Sequence, residues 1–503
     1  MSSRGTVWGR APGRALVLLA VGLTALALGA APAGAASIIE VTTLADPGAG
    51  ECEASGECSL REALERVASG EVGGEVEVVI EPQGTIALAG EELEVKGGGG
   101  LESIAIVGPG AAQLSVDAGG ESRVFRSLGV ALKVSGLTIE GGHVDDAAID
   151  GTGGAGIYSE DGSVVLEDVR VTGNEVESFR DGGGVAIEEE AQLEVIDSRI
   201  DHNLSGHYGG GLFTDSFAPV TIRGSEIDHN EAGRGGGGID ARGEALTVTE
   251  SSISWNTAGE AGGGIYAQLT GLLETSTVNG NAAAEGSGGG GLAMDSEFDS
   301  FSVISSTIAG NSGGGVRVQS GEVTVASATV AVNTTETREG AGIEGNDFRV
   351  RDSILAGNTR AGSEADCAAK VASEGGNILG SAAAASGCEW QPASGDAFET
   401  DPQLAPLTLN GGPTYTMAPA SRESPAINHG AEAPSLDQRG LPRPVPEDLF
   451  DVGAVEVQAP RNLPGHEPAI SGTGGAVVGD TLSCEAGEWD TDTVTDANLS
   501  FAW

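Results

Sequence analysis

The tetrapeptide IDHN occurs twice, at 200–203 and 227–230, each time setting an acid beside an imidazole: Asp201 with His202, Asp228 with His229. If the two copies stack in neighbouring layers of a sheet, their carboxylates lie about 5 Å apart, a separation that suits retaining glycoside hydrolysis. Acid and imidazole together can also hold a cation, which makes His202 and His229 the metal candidates. Duplication of a structural unit would write the same four residues twice without any chemistry, and that reading stands beside the catalytic one.

A second set follows a glycine motif. After each run of the type GGGI, the next residue is Tyr158, Ala186, Phe213, Asp240, Tyr266, Ala293, Arg317 or Glu344. In a strand this position alternates with the apolar one before it, so the whole column is expected to point outward. Tyr158, Phe213, Asp240, Tyr266 and Arg317 then become candidates for stacking on sugar rings and bonding their hydroxyls, with Asp240 a third candidate acid. Ordinary surface variety would give the same column. Elimination from a uronate needs an Arg or Lys base and a cation beside the carboxylate. The basic residues Arg180, Arg223, Arg234, Arg242 and Arg317 form no cluster in the sequence, which weighs against a lyase. No cofactor motif is present. Ca²⁺ suits an acidic surface, but no glycine-aspartate nonapeptide run promises calcium sites.

These residues are positioned by a repeat. Asn174, Asn203, Asn230, Asn256, Asn281, Asn311, Asn333 and Asn358 recur every 22 to 30 residues. Three residues before each stands Val, Ile or Leu, and eight before stands another. Ser198, Ser225, Ser251, Ser276, Ser306 and Ser353 lie between the two. Glycine turns followed by short alternating runs are strands of period two, and each unit holds too few to bury an apolar face alone. A propeller blade needs about 40 residues, more than these units have. The expected fold is all-β: a parallel β-helix over 76–365, in which each Asn passes hydrogen bonds between coils at a corner. Seven steps of about 4.8 Å carry the Asn column roughly 34 Å.

Residues 1–36 read as a secretory signal peptide, with Arg4, Arg10 and Arg14 ahead of an apolar run and small residues at its end. Its loss takes the formal charge from −49 to −52, since it carries three arginines and no acid. Lysine occurs only at 96, 133 and 370. Such a chain repels nucleic acid, and no later run is apolar enough to span a bilayer. A secreted or envelope location makes disulfides plausible, with Cys52–Cys58 and Cys367–Cys388 the simplest pairs and Cys484 left over. GECSLREALERVASG at 56–70 is a helix with an S-x-x-E capping box, Ser59 to Glu62, and reads as a plug over the first coil within an N-terminal cap, 37–75. Residues 366–458 read as a loop-dominated module closing the β-helix, 459–468 as a linker, and 469–503 as the incomplete start of an immunoglobulin-like β-sandwich.

CSLREAL resembles the N-terminal CSLREA-type motif of exported bacterial proteins. The pattern DPQLAPLTLNGGPTYTM, SPAIN, D.RG..R and DVGA.E between 401 and 456 is similar to the choice-of-anchor-like module that closes many bacterial right-handed β-helix proteins. The GGGI and IxxN repeats resemble those of polymorphic outer membrane proteins, with Gly and an aliphatic residue in place of the usual Ala and Phe. The resemblance implies a right-handed β-helix that is secreted or held at the cell surface, whose partner is an extracellular polysaccharide or a surface component. The expected role is adhesion or glycan binding without catalysis; the alternative is a polysaccharide lyase or glycoside hydrolase.

Overall fold

The computed structural model describes residues 36–46, 52, 57–145, 152–177, 179–284, 286–381, 387–431, 433–443 and 450–457, with four short strands beyond. The predicted leader, apart from Ala36, lies outside the described residues, as do most of the linker and of the C-terminal fragment. In that last region Arg461–Asn462 pairs antiparallel with Trp489–Asp490, and Ala469–Ser471 with Ser483–Glu485.

The body is a parallel β-helix. One coil runs through Gln192–Ile196 on face A, Arg199–Asp201 on face B, a short corner strand Leu204–Ser205, and Leu212–Ser216 on face C. Between Leu93 and Leu379 each strand of these faces pairs with its counterpart 22 to 32 residues away, so that Leu193 meets Val220, Ile200 meets Ile227 and Leu212 meets Ile239. Alternation then sends every second side chain inward. On face A one inward column runs Val76, Ile104, Leu132, Val164, Leu193, Val220, Leu246, Gly271, Phe301, Val323, Phe348, Val371 and Trp390. Gly271 is the gap in that column because a Cβ there would collide with the Phe301 ring of the next coil.

The Asn and GGG motifs prove to be two halves of one device. From Asn203 onward each Asn side chain accepts, through Oδ1, both the backbone N–H and the Nδ2–H of the Asn one coil earlier, with Asn203 to Asn230 distances of 3.0 and 2.9 Å, while Asn174 Oδ1 accepts from the Gly142 backbone N–H at 2.9 Å. Each Nδ2 also donates back to a carbonyl of the preceding coil, Asn203 to Val171 at 3.0 Å. Every corner donor is thereby satisfied in a buried setting where an orphan would be costly. The third glycine of each run makes room for this amide, since a Cβ on Gly211 would stand 2.9 Å from Asn230 Nδ2 and one on Gly238 equally close to Asn256. The first glycine serves a turn, with φ of 64° at both Gly209 and Gly236. Asp366 closes the ladder after Asn358, accepting from its backbone N–H at 2.9 Å and from its Nδ2 at 2.8 Å. A carboxylate suits that place because it accepts without needing to donate onward. The serines form a parallel rail: the backbone N–H of Ser198 donates to Ser225 Oγ at 3.1 Å and that of Ser225 to Ser251 Oγ at 3.0 Å.

Both ends of the core are covered. Helix α1, Leu60–Ala68, buries Leu60, Ala63, Leu64 and Val67, and its capping box forms in both directions between Ser59 and Glu62. Arg61 grips the Asp46 carboxylate through Nε and Nη2 and donates to the carbonyls of Glu91 and Glu92. The Cys52–Cys58 disulfide sits at the helix start. At the far end the Cys367–Cys388 disulfide ties down the segment whose Trp390 and Phe398 rings meet edge to face, centroids 6.0 Å apart, against the core.

The segment 401–457 does not stack on the last coil as a lid would. It turns back along face B, placing Met417 on Ala309 and Ala331, and Ala426 and Val452 on Ile354, Ala356 and Ile378. Its D.RG..R and DVGA.E residues knot the loops from inside: Arg439 pairs with Asp437 at 2.8 Å and donates to the Glu456 carbonyl, while Arg443 pairs with the Glu456 carboxylate at 3.1 Å, all buried. Between those arginines' partners, Gln438 reaches out to the solenoid. It donates to the Ser276 carbonyl at 3.0 Å and accepts from the Thr307 hydroxyl at 2.6 Å.

Candidate functional site

The predicted acid pair is in register, Asp201 opposite Asp228 on face B, but neither carboxylate is available as a nucleophile or acid. Arg170 holds Asp201 through two hydrogen bonds of 2.8 and 2.6 Å, and Arg199 holds Asp228 at 2.9 and 2.7 Å. Burial pushes the Asp201 carboxyl up, but Arg170 and His202 outweigh it and hold it below the ordinary range. Of the two readings of the repeated IDHN, the geometry favours the structural one: both acids are the buried halves of a ladder of ion pairs. Arg170 and Arg199 escaped the sequence reading although each stands one residue before the apolar position of the same repeat.

The GGGI column is also in register, Tyr158, Ala186, Phe213, Asp240, Tyr266, Ala293, Arg317 and Glu344. Its expected exposure holds only in part. Tyr158 and Phe213 are buried and pack with Ala186, Leu128 and Tyr208 into a small cluster outside the main core. The Arg242 guanidinium lies across this cluster, 4.2 Å from the Tyr208 ring centroid and 5.4 Å from that of Phe213. The Tyr158 hydroxyl donates toward Glu160 and Glu188, and burial with those two acids raises its pKa far above the ordinary phenol value. Asp240 is wholly buried against Arg242 at 2.8 Å; desolvation outweighs that partner and lifts its carboxyl to about 7.

What remains open is a cleft of about 380 Å³ further along the column, lined among others by Tyr208, Glu260, Tyr266, Ala293, Asp295, Arg317 and Gln319. Ala293 is part of its wall, where between Tyr266 and Arg317 the column carries only a methyl group. Asp295 forms one side, accepting from Gln319 Nε2 at 3.1 Å, from Ser320 Oγ at 2.7 Å and from the Tyr266 hydroxyl at 3.3 Å. Burial, with Asp295 and Asp240 nearby, pushes that phenol up to about 12, so it stays a donor at all ordinary pH. Arg317 forms the opposite side, donating to the Ser287 carbonyl and to Gln319 Oε1 at 3.2 Å. Burial and the neighbouring Arg338 lower its pKa. The absence of a basic cluster expected from the sequence is thus also corrected: Arg317 and Arg338 come together from adjacent coils, with Arg338 paired to Glu344 at 2.8 Å. Of the predicted residues the structure brings Tyr266 and Arg317 into this cleft and leaves Tyr158 and Phe213 outside it. Tyr208 stands directly before a glycine run, and Asp295 and Gln319 stand two residues after the column positions Ala293 and Arg317, so period-two alternation was the signal that could have found those two.

The groove beside the cap helix, lined by Arg61, Leu64, Glu65 and Glu91–Glu94, is a second concavity of about 510 Å³. Its arginine is committed to Asp46. Among the described residues one set of three metal-ligating side chains converges, Cys52, Cys58 and Glu62, and the two cysteines there are joined as a disulfide.

The family model of the right-handed β-helix region matches residues 125–268, the coils that carry the first half of the Asn ladder, Asn174 to Asn256, and the glycine column as far as Tyr266. No curated protein matches the chain. Among solved structures it is similar to the pectate lyase Pel9A, at 14% identity and a TM-score of 0.44, over 84% of this chain and 97% of that one. It is also similar to a mannuronic acid specific polysaccharide family 6 lyase from human gut microbiota, at 12% identity and a TM-score of 0.34, over 66% of this chain and 89% of that one. The fold is a right-handed parallel β-helix.

Proposed function

We propose that this protein is a secreted or cell-surface β-helix scaffold that binds an extracellular glycan in the Tyr266–Arg317 cleft without cutting it. The carrying observation is the cleft itself: two tyrosines, Tyr208 and Tyr266, two carboxylates, Glu260 and Asp295, and the Gln319 amide line one concavity. Aromatic rings stack on the apolar faces of sugars, and fixed carboxylates and amides order their hydroxyls. Ca²⁺ has no part in this reading. The lining carries two acids, Glu260 and Asp295, of which Asp295 is engaged by Tyr266, Gln319 and Ser320, while Asp240 is sealed behind Arg242 and Asp201 and Asp228 lie on another face.

One observation favours a second reading as a carbohydrate-active enzyme: Arg317, whose pKa burial and Arg338 lower, is the kind of group that serves as a base in elimination. A glycan-array screen combined with a polysaccharide depolymerisation assay separates the two. Binding without product, weakened about tenfold or more by Tyr266→Ala, supports the scaffold. Release of shortened or unsaturated sugars that stops with Arg317→Ala supports the enzyme. If no glycan is bound or cut, the cleft reading falls.

A further inference from the structure

The IDHN corners carry a feature independent of the cleft. His202 and His229 occupy the same corner of successive coils, with ring centroids 5.0 Å apart and planes only 2° from parallel. Each is held by the acid before it, His202 Nδ1 on Asp201 at 2.8 Å and His229 Nδ1 on Asp228 at 2.6 Å. A carboxylate fixed by an arginine can only accept, so Nδ1 carries the hydrogen in both rings and the Nε2 lone pair faces outward. The left-handed backbone of this corner, φ of 56° at His202 and 55° at His229, recurs at Trp255 and Val332 and belongs to the coil turn. Both side chains are about half exposed, 57% and 49%. The carboxylate that orients an imidazole through its other nitrogen is the usual support of a metal-bound histidine.

We infer that His202 and His229 form a surface site for a late first-row divalent ion, Zn²⁺, Ni²⁺ or Cu²⁺, bound through the two Nε2 atoms with water completing the shell. Bonds of about 2.0–2.1 Å to both nitrogens require these to approach to about 3–4 Å, a tilt of each ring that half-exposed side chains can make. Ca²⁺ does not fit, because it needs several oxygens and the two carboxylates are already engaged by Arg170 and Arg199. The third corner of the same column is Trp255, 58% exposed, whose indole lies over Gly280 and so stands beside the site as a reporter.

The test is calorimetric titration of the full chain, free of any histidine tag and stripped with chelator. Saturable binding of one Zn²⁺ or Ni²⁺, tightest binding of Cu²⁺ and no uptake of Ca²⁺ are expected. His202→Asn and His229→Asn should each weaken Zn²⁺ about tenfold or more; Asn tolerates the left-handed backbone, so the fold is kept, which unchanged circular dichroism verifies. His207→Asn, at a histidine elsewhere on the surface, should change nothing. Cu²⁺ should quench a part of the fluorescence that disappears in Trp255→Phe. Wild-type affinity in the double His202→Asn, His229→Asn chain, or no Zn²⁺ or Cu²⁺ uptake by the wild type, overturns the site.

Discussion

Face B is one continuous wall with two exteriors. In the coils around 170–228 its outward positions are charged, Arg170, Arg199, Glu226, Asp201 and Asp228, and they pair along the axis with their arginines about 40% exposed to water. In the coils around 277–356 the same positions are Thr277, Thr307, Thr329, Ala309, Ala331 and Ala356, all buried beneath residues 401–457. The strands, register and Asn ladder do not change between the halves. The inward columns make the solenoid, while the outward ones decide separately what the wall meets.

The sharpest way to break the contrast is to write the first exterior into the second. Thr307→Arg places a guanidinium beneath the strap where Thr307 meets Gln438, and a buried charge without a partner should cost about 3–5 kcal/mol. Denaturant unfolding and accelerated proteolysis within 401–457 would register it. Removing the pin comes next. Gln438→Ala takes the acceptor from the buried Thr307 hydroxyl, while Thr277 keeps the Tyr415 carbonyl, and should destabilise by about 2–3 kcal/mol, loosening the strap before the coils.

A subtler probe is pH. Burial and Asp451 lift the Glu456 carboxyl from 4.5 to about 7 despite the Arg443 contact. The folded state therefore holds its proton more tightly than the unfolded chain. The stability linked to that proton is present in full below about 4.5 and is lost as the pH rises through about 7, on the order of 2 kcal/mol. Because other buried acids titrate too, the measurement is the difference between wild type and Glu456→Gln across pH 4 to 8, which should slope in this window. The smallest effect belongs to the exposed half: Arg199→Ala removes an arginine that is 42% exposed while the buried Asp228 keeps His229 Nδ1 at 2.6 Å, and should cost about 1 kcal/mol in thermal unfolding at moderate salt. A larger loss there than for Gln438→Ala would erase the distinction between the halves.

The sequence by itself determined whatever is local or periodic. The Asn, Ser and Gly columns repeat because each coil must satisfy the same corner, so the β-helix could be read from spacing. The capping box at Ser59 and Glu62 and the Cys52–Cys58 and Cys367–Cys388 pairs depend on near neighbours and were equally legible. The tertiary structure alone decided the fate of outward side chains. Whether Tyr158 is a binding surface or a buried phenol depends on Tyr208 and Arg123 folding over it, and whether Asp201 is reactive depends on Arg170, 31 residues away. Gln438 meets its threonine at a separation of 131 residues. An inward residue has its environment set by the repeat that contains it, whereas an outward residue has its environment set by whichever distant segment packs there, and no spacing in the chain encodes that choice.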